Sequence, residues 1–180
     1  MEEMTSDSMV KVEFLTANHH LVGHVTTGAR RFSTWLNLVS EPTFTLDNAI
    51  VRSLEELDAA EIPLEFVLVE RQAVVAAIPR EPPVTGEATE RGGKPLEYVE
   101  KMRREIVVTL PPFALRGHIH LAKGADLRRV LATSRDAFMP FSEARLVYTV
   151  NPRLLWEGEV ILVNRSKAQL YWPSPDLDGR

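Results

Sequence analysis

The chain has 180 residues, of which 44% are apolar and 26% charged, the proportions of a globular protein and not of a disordered or fibrous one. Its net charge of -4 gives no global pull toward a polyanion, and the absence of cysteine excludes disulfides, thiolate-held metals and a cysteine nucleophile. The opening Met1-Glu2-Glu3-Met4 lacks the basic-then-apolar form of a secretory leader, and no apolar run approaches the roughly 18 residues of a membrane helix, so a cytoplasmic protein with no membrane contact is expected.

Residues 1–11 read as a flexible N-terminus. Residues 10–15 and 21–27 read as strands, with the turn at Asn18-His19-His20. After Gly28, the residues Ala29, Phe32, Leu36 and Val39 are spaced three, four and three, which predicts a short helix with one apolar face. A strand pattern returns over 44–52, and Ser53-Leu54-Glu55-Glu56 has the form of a capping box for one further helical turn. Two apolar runs follow, 64–69 and 73–78, and the break at Glu70-Arg71-Gln72 predicts a tight hairpin between them.

Residues 80–105, with Pro82, Pro83, Gly86, Gly92, Gly93 and Pro95, read as a linker. The spacing of Leu96, Val99 and Met102 predicts one short helix over 95–103 within it. The same series then recurs: strands at 106–110 and 115–121 around Pro111-Pro112, a helix carrying Leu127, Val130 and Leu131, and a strand at 138–147. Two final runs, 160–163 and 168–172, flank a turn at Asn164-Arg165-Ser166-Lys167, and 174–180 read as a flexible tail.

Residues 12–79 laid over 106–173, a shift of 94, bring Leu21, Gly23 and His24 onto Leu115, Gly117 and His118. Phe44 falls on Phe138, Glu65 on Glu159, Val69 on Val163, Arg71 on Arg165 and Pro79 on Pro173. Gly28-Ala29 meets Gly124-Ala125 after two inserted residues, given back before Phe138. The expectation is a mainly β protein with short helices, a tandem duplication of a β-β-α-β-β-β unit. Units of about 68 residues with no metal or disulfide are near the lower limit for a stable core, so the copies should pack together as a pseudo-dimer.

Gly117-His118-Ile119-His120-Leu121, Phe138-Met139-Pro140-Phe141 and Val163-Asn164-Arg165, with Gly23-His24-Val25, Arg31-Phe32-Ser33-Thr34-Trp35-Leu36-Asn37 and Val69-Glu70-Arg71, carry a resemblance. Together they resemble a bacterial domain of unknown function of about 70 residues, with the pattern G-x-[IV]-H-L, R-L-S-D-x-L-N, F-x-P-L-x-x-A, V-N-[RK]. More distantly the order is similar to the small bent five-stranded barrel of Sm-like proteins, which implies an RNA site at the Leu36-Asn37 loop and the closing turn. The inserted helix, and Gln72 and Ser166 where the Sm-like turn carries glycine, depart from that pattern.

Three chemistries compete. His118 and His120 alternate on one strand face, the spacing of a metal-binding pair, and packing of the copies could bring His24 to them, which would suit a metal-dependent small-molecule enzyme. Arg71, Arg165 and Lys167 at matching turns, with Arg128 and Arg129 on the second helix, could hold the phosphates of RNA. The leading expectation is a non-enzymatic scaffold that associates with itself or a protein partner, with no catalytic residue and no cofactor. It rests on a charge split: four basic and nine acidic residues in 12–79, net −5, against nine and five in 106–173, net +4. Trp35, Trp156, Trp172, Phe32 and Phe44 are expected in the core.

Overall fold

A computed structural model describes residues 8–38, 40–56, 58–80 and 101–174. The first half runs β1 (Met9–Leu15), β2 (His19–Thr26), α1 (Phe32–Leu38), β3 (Thr43–Ser53), β4 (Ile62–Glu70), a 3-10 turn (Arg71–Ala73) and β5 (Ala76–Pro79). The second runs β6 (Lys101–Leu110), β7 (Phe113–Ala122), α2 (Leu127–Thr133), β8 (Phe138–Tyr148), β9 (Leu155–Asn164) and β10 (Leu170–Pro173). Residues 1–7, 95–100 and 175–180, to which termini and a linker helix are assigned above, lie outside the described residues. Lys101–Arg103 are strand and not helix, Met9 already belongs to β1, and His19 and His20 open β2 and do not form the turn before it. No helix among the described residues is long and apolar enough to cross a membrane.

The strands form one antiparallel sheet in the order β10-β6-β7-β8-β9-β5-β1-β2-β3-β4. Two expectations are corrected by this order. The hairpins at Arg71 and Arg165 do not form: β4 and β5 lie at opposite ends of the first half, and β5 pairs with β1 as β10 pairs with β6. Alternation marks a segment as extended but says nothing of its partner, and the 3-10 turn redirects the chain across the half. Where small barrels are expected, the described strands form an open sheet ending in β10 and β4. At the expected capping box, Glu55 and Glu56 donate their N–H groups to Ser53 Oγ at 3.2 and 3.1 Å, but no helix follows among the described residues.

Both halves share strand order and register. Val12 pairs with Gly23 and Pro79, and Ile106, 94 residues on, pairs with Gly117 and Pro173. The third strand alone is displaced by one more residue: Val69 faces Phe44, whereas Val163 faces Met139. By register Phe44 therefore matches Met139 and not Phe138, the shift being 95 through β8 and 94 again in β9.

The register shift at Val22/His24 recurs at Arg116/His118, each around a glycine. A Cβ on Gly23 would lie 2.7 Å from Leu46 Cγ and 2.8 Å from the Asp47 carbonyl oxygen; one on Gly117 would lie 2.8 Å from Ala144 Cβ. Backbone cannot yield as a side-chain tip can, so Gly23→Ala is expected to cost about 1–3 kcal/mol, read as a lower midpoint of urea unfolding.

Buried apolar residues fall into two clusters, and each borrows from the other half. Val12, Phe14, Leu36 and Leu46 of the first half are joined by Phe138 and Leu162 of the second. Ile106, Leu115, Phe141 and Leu146 of the second are joined by Leu15, Leu54, Val75 and Ile78 of the first. Phe32, Phe44 and Trp156 are buried and Trp35 packs against the first cluster, as expected. Trp172 is not core: on the end strand β10 it is 40% exposed, because no described strand lies beyond it.

Candidate functional site: the internal joint and the two open edges

The halves meet where β5 pairs with β9, at Ala76↔Val163 and Ala77↔Leu162. Asn164 extends the ladder, donating its N–H to Val75 O at 3.0 Å and its Nδ2 to Val74 O at 2.8 Å. Asn37 grips the other half, donating Nδ2 to Phe138 O at 3.0 Å and accepting the Phe138 N–H at 2.8 Å. Arg80 Nη1 donates to Glu157 O at 2.7 Å while its Nε donates to Glu13 at 2.6 Å, and His20 Nε2 lies 2.6 Å from the other Glu13 oxygen. Burial pushes the Glu13 carboxyl up, but the hydrogen bonds from His20 and Arg80 outweigh it and hold the pKa at about 2.

At the ends of the sheet the same positions have no partner strand among the described residues. Along β4, Ile62, Leu64, Phe66 and Leu68 alternate onto one face and are all exposed, Leu68 at 63%. On β10, Leu170 is 61% exposed beside Trp172. The shift of 94 relates Leu68 to Leu162, Leu170 to Ala76 and Trp172 to Ile78, three residues with no exposed surface at the joint. A long apolar strand edge is a template for pairing, and proteins usually blunt it.

Two of the expected anion residues, Arg71 and Arg165, have structural partners. Arg71 Nε and Nη2 donate to Leu36 O at 3.3 and 3.0 Å, and its guanidinium lies 5.3 Å from the centre of the Phe138 ring. Arg165 donates Nη2 to Leu131 O at 2.7 Å and Nη1 to Ser134 O. The matched arginines thus satisfy terminal carbonyls of α1 and α2, groups that a short helix leaves unpaired. Arg71 and Arg165 share a cleft of about 490 Å³ with Arg135, Asp136 and Asn164, whereas Lys167, Arg128 and Arg129 do not line it.

His118 and His120 share the outer face of β7, and His120 Nε2 lies 2.7 Å from Ser142 Oγ. His24 and His118 each bury an Nδ1 with no hydrogen-bond partner. Among the described residues no group of three or more His, Asp or Glu could hold a metal ion, so His24 does not complete a site with the pair.

The joint itself went unread in the sequence. Its one signal was size: Ala76, Ala77 and Gly158 are small where their counterparts Leu170, Tyr171 and Leu64 are large. No protein-family model, curated protein or solved structure matches the chain.

Proposed function

We propose that this chain is a non-enzymatic association scaffold: two fused copies of one β-β-α-β-β-β unit, akin to an Sm-like unit, that self-associates through its sheet edges. The shared registers, at shifts of 94 and 95, support the duplication. One observation carries the function: Leu68 on the exposed apolar face of β4 is 63% exposed, whereas its counterpart Leu162 on β9 is fully buried in the cluster of the other half. An aqueous surface of this kind gains free energy when covered, and a second edge can cover it with main-chain hydrogen bonds as well.

Light scattering across a dilution series tests the reading. The expected mass rises above the 20.3 kDa monomer with concentration. Leu68→Lys should return it to monomer with the unfolding midpoint unchanged, since Leu68 is already exposed. A chain that stays monomeric at every concentration overturns the proposal.

A further inference from the structure

We propose that the strand seated on β4 is β10 of a second copy of this chain, in the register of the internal joint. The inference rests on the self-association reading and names its geometry. Within one chain, the fourth strand of one half pairs with the fifth strand of the other. Among the described residues the same two strand types have no further partner, β4 at one end of the sheet and β10 at the other. Repeating the internal joint between chains carries Ala77↔Leu162 onto Tyr171↔Leu68 and Ala76↔Val163 onto Leu170↔Val69.

Side chains at the two edges fit this occupant. In this register exposed Leu68 falls on the face of Tyr171, which packs against the second cluster, and exposed Leu170 and Trp172 fall on the face of Val69 and Val67, which pack in the first, so each exposed set is covered by the other chain's core face. Glu70 takes the position of Asn164 and falls opposite Gln169, two residues from Lys167, so the net −5 half of one chain meets the net +4 half of the next. Pairing of unlike edges is heterologous: every added chain leaves one β4 and one β10 open, and growth ends only if the rotation closes a ring.

A chain with no cysteine makes the test direct. Leu68→Cys and Tyr171→Cys are prepared as separate variants, oxidised mildly alone and mixed, with scattering mass and unfolding midpoint measured for each. The mixture should give a disulfide-linked pair of chains, and neither variant alone should. Leu170→Lys, at the other edge, should weaken association at least about ten-fold, as Leu68→Lys does. Cross-linking of Leu68→Cys with itself would show a β4–β4 contact and overturn the inference. Association with no mixed cross-link would overturn the register while leaving the scaffold reading standing. Monomer throughout would overturn both.

Discussion

Phe138→Ala should lower the free energy of unfolding by about 3–5 kcal/mol, the range for truncating a fully buried aromatic ring. Phe138 is 1% exposed and belongs to β8, yet its ring completes the cluster built by Phe14, Leu36 and Leu46 of the other half. Its backbone is held on both sides by Asn37, and Arg71 lies over its ring, so the cavity cannot close by a simple shift of the strand. Urea unfolding followed by tryptophan fluorescence reads the loss. Phe141→Ala, which empties the second cluster and not the first, is the comparison and should cost a similar amount. A Phe138→Ala loss under about 1 kcal/mol would mean that the first cluster does not depend on the second half.

Acid should weaken the protein through Glu13. Its folded pKa of about 2 lies below its ordinary 4.5, so the unfolded chain takes up the proton first. The stabilisation is therefore complete above about pH 4.5 and lost as pH falls through about 2. The Glu13 side chain is only 16% exposed, and the shift corresponds to roughly 3 kcal/mol. Glu13→Gln should be less stable than the parent at pH 7, and the gap should narrow toward pH 2. Glu105, held at about 2 by Arg116, and Glu143, lowered by Arg103, titrate in both proteins, so the difference isolates Glu13. A gap that stays constant from pH 7 to pH 2 would show that Glu13 gains nothing from His20 and Arg80.

The strands and both helices were legible from alternation and from the change of period after Gly28, because these depend on each segment facing water on one side. Pairing was not. The runs at 64–69 and 73–78 look like a hairpin, and only the redirecting turn at Arg71–Ala73 sends the second back to β1. The equivalence of Arg71 and Arg165 was visible in the sequence, but their partners, Leu36 O and Leu131 O, are backbone atoms with no residue signature. Trp156 and Trp172 look alike in an apolar pattern, and their burial differs because one lies near the joint and the other on an open edge. The displacement of β8 by one residue escaped detection because Phe138 and Met139 are both apolar and either satisfies the alignment.

Exchange of core residues across the joint also restricts what can happen to this chain over longer times. A half whose interior is finished by Phe138 and Leu162, or by Leu15, Val75 and Ile78, is not a detachable part. Losing one half by deletion would open the remaining half to water, and swinging one half on a hinge would do the same. The two halves stand as a single packed piece.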